Sequence, residues 1–452
     1  MFAAVIVIFV LGYMTIVFEH PLKLDKTVPA LIMGALCWAL LAIGFNTGIL
    51  SIVDSHDHLF SMADGYSEES EDGFVNALIH HLGKTAEILV FLIGAMTIVE
   101  IIDLHKGFQI LKRWVKTRSK KKLLWIIGAL AFVLSAIIDN LTATIVLVTL
   151  MRKIIPNKLE RLWFAGMVII AANAGGAWSP IGDVTTTMLW IGKKVSTLGL
   201  IEWLVIPSIA CFVVPVFIAT FLPPFRGEID RDDTADESGE ELLSSRFMLF
   251  FGLSSIVFVP VFKTITHLPP YLGMMLSLGT VWLVSEYIKP ERNFSSERRH
   301  LYSAHKALAK IEMSSILFFL GILMAVASLE TMVVGTVGTL RYVAEMLEAA
   351  VPNQDIVVML LGVGSAIIDN VPLVAASMGM YDHTIDAKIW HFIAYCAGTG
   401  GSMLIIGSAA GVAAMGMENI DFIWYLRKIA WLAVLGFLAG AFVFLGMYSL
   451  LG

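Results

Sequence analysis

One six-residue phrase occurs twice in this chain. Ser135-Ala136-Ile137-Ile138-Asp139-Asn140 returns unchanged as Ser365-Ala366-Ile367-Ile368-Asp369-Asn370, 230 positions later. Each copy ends an apolar run with a carboxylate and an amide, in a chain that is 58% hydrophobic and 15% charged. Soluble domains carry roughly 25% charged residues, so the balance is that of an all-α polytopic membrane protein. Ionisable residues at membrane depth are rare and mark functional sites. Two identical ones, one per half, predict a molecule built by duplication around a shared site.

Runs long enough to cross, about 20 residues each, are expected at 1–18, 28–50 and 86–104. An acidic loop with Asp54, Asp57, Asp64, Glu68, Glu69, Glu71 and Asp72 separates the last two. The basic stretch from Lys106 to Lys122 that follows is assigned to the cytoplasm by the positive-inside rule. The next apolar block, 123–151, is too short for two full crossings, yet basic residues flank both of its ends. A re-entrant hairpin of two short helices satisfies both constraints, with Asp139 and Asn140 at its tip; such backbone survives in lipid only when buried in protein or facing water. A helix at 162–191 is expected to break across Asn173–Asp183, where three glycines and a proline fall within eight residues.

After a span at 199–222, an acidic linker (225–246) divides the halves, and the same order follows. Spans are expected at 246–264, 271–288 and 313–333, a hairpin at 355–380, a broken helix at 389–416, and a last span at 422–451. In both broken helices six residues separate paired glycines, Gly176 from Gly182 and Gly401 from Gly407. Residues 1–224 and 247–452 are thus two repeats of five spans plus a hairpin; an odd number inverts the second, the architecture of secondary transporters.

In such folds, half-helix ends and unwound carbonyls meet the cargo near the midplane. The first site is expected to gather Ser135, Asp139, Asn140, Asn173, Asp183 and the backbone of Gly175, Gly176 and Gly182. The second gathers Ser365, Asp369, Asn370, Thr399 and the backbone of Gly400, Gly401 and Gly407. Asp139, Asn140, Asp369 and Asn370 are the expected Na+ ligands. Burial raises a carboxylate's pKa and a bound cation lowers it, so one group can take Na+ or H+ but not both. The plainer alternative is that Asp139 and Asp183 cap the helices that follow them.

Two segments, Ser135–Thr144 and Asn173–Met188, closely resemble the NhaD-type sodium/proton antiporters. These belong to an ion-transporter superfamily that also holds arsenite permeases and sodium-coupled dicarboxylate carriers. The resemblance extends over nearly the whole chain. It implies a homodimer in a bacterial inner membrane, each protomer with a scaffold part and a moving transport part, exchanging Na+ or Li+ for H+ by alternating access in the service of pH homeostasis. In the dicarboxylate carriers the tip reads Ser-Asn-Thr; Asp139 and Asp369 replace that serine and repel an anion. The run Gly182–Thr187 favours the antiporter over an arsenite or citrate/dicarboxylate carrier, the alternative within the superfamily. An intramembrane aspartyl protease would not need two identical cradles, so no enzyme is expected. No cofactor, metal cluster or nucleic-acid partner is expected either: Cys37, Cys211 and Cys396 lie far apart in apolar runs. His80, His81, Glu100, Asp103, His105, Glu330 and His391 sit near span ends, where interfacial residues are commoner than proton relays.

Overall fold

A computed structural model describes residues 1–18, 22–54, 58–111, 115, 117–229, 242–291, 302–335, 337–367 and 370–451. Without water to bond the backbone, the apolar runs close their own hydrogen bonds as helices. In chain order these are α1 (Phe2–Val17), α2 (Thr27–Asn46), α3 (Glu68–Leu104), α4 (Lys120–Ile138), α5 (Asn140–Ile154), α6 (Lys158–Gly176), α7 (Val184–Ile191) and α8 (Thr197–Ala219). The second half continues with α9 (Ser245–Thr266), α10 (Pro270–Tyr287), α11 (Ala304–Leu308), α12 (Met313–Thr331), α13 (Thr339–Ala350), α14 (Gln354–Gly364), α15 (Asn370–Met380), α16 (Lys388–Gly400), α17 (Ala409–Glu418), α18 (Phe422–Lys428) and α19 (Ala430–Leu451). Among the described residues seven helices are long and apolar enough to cross a membrane, or eight if the bent pair α13 and α14 counts as one. One of the seven is α4, with 19 residues, whereas α14 and α15 have 11 each, too few for a core of about 30 Å.

Three stretches differ from the expected loops and spans. The acidic segment holds a small antiparallel pair, β1 (Ile52–Val53) with β2 (Leu59–Phe60). Its acids Glu68, Glu69 and Glu71 then enter the first turn of α3, where the helix dipole favours negative charge. That makes α3 a 37-residue helix, about 55 Å long, rather than a single short crossing. Between α12 and α14 a second pair, β3 (Val333–Val334) with β4 (Val337–Gly338), leads into the amphipathic α13. The start of the linker is also ordered: the Ile229 amide donates to the Arg118 carbonyl at 2.8 Å. The basic residues Lys112, Arg113 and Lys116, and linker residues 230–241, lie outside the described set.

The chain forms two compact units, each drawing on both halves of the sequence. The first comprises residues 1–90, 312–357 and 371–384. Its centre is the crossing of α2 and α12, where Gly34 faces Gly321 so closely that a Cβ on either would strike the other helix's backbone. Small residues at a crossing let membrane helices pack backbone to backbone. Trp38 Nε1 then donates to the Met324 carbonyl at 2.8 Å and Thr27 Oγ1 to the Ser314 carbonyl at 3.0 Å.

The second unit comprises residues 91–311, 358–370 and 385–452. Here α8 packs along α19, with Gly436 of α19 set against the Cys211 carbonyl of α8. Pro215, four residues on, has no N–H for that carbonyl. The three cysteines are free and buried.

Candidate functional site

Asp139 alone separates α4 from α5, at φ 85° and ψ 158°, a region nearly reserved for glycine and worth about 1–3 kcal/mol of strain. Its carboxylate is committed locally. Oδ1 accepts the Thr142 amide at 2.7 Å and Oδ2 accepts the Thr142 hydroxyl at 2.9 Å, an N-cap on α5. In the other half α14 ends at Gly364 and α15 opens at Asn370; Asp369 lies outside the described residues.

The two helical breaks share one geometry. The first lies between Gly176, which ends α6, and Val184; the second between Gly400, which ends α16, and Ala409. The residues before the second arms, Asp183 and Ser408, have matching extended backbones (φ −147° and −144°). A Cβ on Gly175 would fall on the Phe132 carbonyl, and one on Gly400 on the Gly362 carbonyl. Gly182 approaches Ala136 as Gly407 approaches Ala366, and Gly176 and Gly401 touch Gly182 and Gly407 in turn. Each break is thus pressed, backbone to backbone, onto the segment that precedes an Asp-Asn pair. Serine hydroxyls fasten the contact: Ser135 Oγ donates to the Ala172 carbonyl at 2.6 Å, and Ser365 Oγ to Ala397 at 3.2 Å.

The amides then cross between the halves. Asn140 Nδ2 donates to Asn173 Oδ1 at 2.9 Å, and Asn173 Nδ2 donates to Ser408 Oγ at 3.1 Å. Asn370 Nδ2 donates to Asp183 Oδ2 at 3.1 Å. The expected sets, one per repeat, are therefore linked through Ser408 and Asp183. Unlike Asp139, Asp183 makes no side-chain cap on its helix. Its Oδ2 also accepts the Thr185 hydroxyl at 2.8 Å, and the residue is 3% exposed. Thr186 and Thr187 staple the break by donating to the Asp183 and Pro180 carbonyls, both at 2.9 Å. Thr399 stands apart: its hydroxyl donates to the Tyr395 carbonyl of its own helix.

Two residues of this centre, Thr185 and Ser408, lie outside the expected sets. Each had a signal: Thr185 follows Asp183 by two positions, within reach of its carboxylate, and Ser408 aligns with it. The groups near span ends have ordinary partners. Glu100 and Asp103 lie 3.7 and 3.6 Å from Lys310. His81 Nε2 meets the Thr331 hydroxyl, His105 Nδ1 the Ser244 hydroxyl, and His391 Nε2 the Asp386 carboxylate. Chemically, the centre is a buried carboxylate that accepts from the Thr185 hydroxyl and the Asn370 amide nitrogen, a group able to take a proton or, if the Asn370 amide turns its oxygen inward, to pair with a small cation.

The CitMHS family, described as citrate transporter, matches residues 13–390. Sodium/proton antiporter 1 of Arabidopsis thaliana is 43% identical, over 99% of this chain and 73% of its own length. The Na(+)/H(+) antiporter NhaD of Vibrio cholerae is 29% identical, over 96% of this chain and 88% of its own. The YdaH transporter of Alcanivorax borkumensis shares the fold at a TM-score of 0.58 and 11% identity, over 94% of this chain and 98% of that chain. The chain therefore belongs to the CitMHS family of transporters and is similar along its length to sodium/proton antiporters of the NhaD and plant types.

Proposed function

We propose that this protein exchanges Na+ (or Li+) for H+ across a membrane, with Asp183 as the carboxylate that either ion occupies. The observation that carries the reading is that carboxylate's setting: buried, not spent on capping its helix, and approached by Thr185 and by Asn370 of the other half. A proton and a cation both need the carboxylate's oxygens, so binding of one excludes the other. Asp139 takes part from the first tip, where its carboxylate also caps α5. Asp369 is assigned the same part by its identical flanks. The tips enter from opposite faces as re-entrant hairpins of inverted repeats, and alternating access carries the site between the two sides. The working form is a homodimer, in a bacterial inner membrane or its equivalent.

Proteoliposomes holding a pH gradient test this. Na+ or Li+ should collapse the gradient with wild-type protein, and Asp183→Asn should abolish the collapse. Exchange at the wild-type rate in both Asp183→Asn and Asp139→Asn would refute the assignment. A carrier of citrate or another anion is the second reading. The family's description favours it, as does the buried Trp178 Nε1, a donor in the first break that makes no hydrogen bond among the described residues. Uptake of labelled citrate driven by Na+, with no effect of Na+ on the pH gradient, would select it.

A further inference from the structure

The hydroxyl of Thr144 is buried and makes no hydrogen bond among the described residues. Thr144 is 0% exposed and lies on α5, which packs against α4, α6 and α17. The other hydroxyls around the site are all engaged. Ser135 donates to Ala172, Thr185 to Asp183, Thr187 to Pro180 and Thr399 to the carbonyl four residues before it. That last arrangement is the default for a helical threonine, and Thr144 does not adopt it. A buried hydroxyl left unmade is unfavourable and asks for an explanation, such as a ligand or ion.

Position supplies one. Thr144 follows Asn140 by four residues, so the two side chains share a face of α5 one turn apart. Asn140 gives its amide nitrogen to Asn173, which in turn reaches Ser408, and this keeps the Asn140 Oδ1 available. Two oxygens, Asn140 Oδ1 and Thr144 Oγ1, therefore stand on one buried face beside the chain that joins the halves.

We infer that Thr144 is a ligand of the transported alkali cation, its hydroxyl oxygen completing the cradle begun by Asn140. The inference rests on the exchange reading and adds to it a residue that sets cation affinity. Thr144→Val keeps shape and burial but deletes the oxygen; Thr144→Ser restores it. Exchange measured against Na+ and Li+ concentration in proteoliposomes should show the half-saturating Na+ concentration raised about tenfold in Thr144→Val, equivalent to about 1.4 kcal/mol of binding. The maximal rate should stay within about twofold, and Thr144→Ser should return to the wild-type value. A packing threonine predicts otherwise: the valine, free of an unmade bond, would melt no lower than wild type and keep its Na+ dependence. Thermal melting of purified protein with and without Na+ separates the two, because the ligand reading requires a smaller Na+-induced rise in Thr144→Val. Unchanged half-saturation together with an unchanged Na+-induced rise overturns the assignment while leaving the exchange reading intact. Wild-type vesicles with no response to Na+ overturn both. Should the valine variant fail to fold, Thr144→Ala is read in the same way.

Discussion

Glu418, the last residue of α17, tests how three helices of the second unit are held together. Its side chain is 1% exposed and accepts Arg152 Nε and Arg161 Nε, each at 2.7 Å. Arg152 stands in the last turn of α5 and Arg161 near the start of α6, so one carboxylate binds α5, α6 and α17. Removing one partner of a buried pair costs about 3–5 kcal/mol, because the remaining charge is stranded. The two arginines differ in what they could do next. Arg152 has a side chain 45% exposed and can turn to water; Arg161, at 14%, cannot do so without leaving the Ile155 carbonyl it also holds at 2.9 Å. Glu418→Ala should therefore lose about 3–4 kcal/mol. Arg161→Ala should lose about 2–3 kcal/mol, since Arg152 still neutralises Glu418, and Arg152→Ala under about 1 kcal/mol. Thermal and denaturant melting of the purified protein, with the double variants closing each cycle, gives the order and the couplings. Arg152→Ala as damaging as Glu418→Ala, or Glu418→Ala within about 0.5 kcal/mol of wild type, would refute the reasoning.

Other outcomes follow from single residues. Gly175→Ala and Gly400→Ala each drive a Cβ into a backbone carbonyl that has nowhere to go, so both should abolish recovery of monodisperse protein; Gly446→Ala, with open space around it, should be silent. Asp139→Asn keeps an oxygen for the Thr142 amide, whereas Asp139→Ala loses the cap; their melting should differ by about 1 kcal/mol, whatever either does to transport. His105, just past α3, is held by burial at a pKa of about 4 against an ordinary 6.5. The unfolded chain takes the proton first, so its contribution is complete above pH 6.5 and is lost as pH falls towards 4. His105→Gln should flatten the melting curve's dependence on pH through that window, and an unchanged slope would exclude His105 as its source.

The helices themselves are legible in the sequence because their signals are local. Apolar runs mark the spans, and Gly175, Gly176, Pro180 and Gly182 lie too close together for continuous helix. Less legible is the reach of α3 into its acidic flank, since Glu68 to Asp72 read as loop by hydropathy and as a good first turn by dipole. The pairs β1–β2 and β3–β4 are two residues per strand, too short for any period to register. The hardest feature is the linkage of Asp183 to Asn370 and of Asn173 to Ser408, partners 187 and 235 positions apart. Nothing near either residue encodes that pairing; it arises only when the chain has folded and brought the two breaks side by side. The same limit explains the two carboxylates. An Asp before a helix is a capping candidate at both 139 and 183, and only the folded geometry separates the one that caps from the one that does not.

Competition between ions at a single carboxylate has a direct signature. Na+ added to purified protein in weakly buffered detergent should release protons in proportion to the ion bound. Below the carboxylate's pKa, the apparent Na+ affinity should fall about tenfold for each pH unit of acidification, and Asp183→Asn should release none. Na+ binding without proton release in the wild type, or undiminished release in Asp183→Asn, would contradict the account.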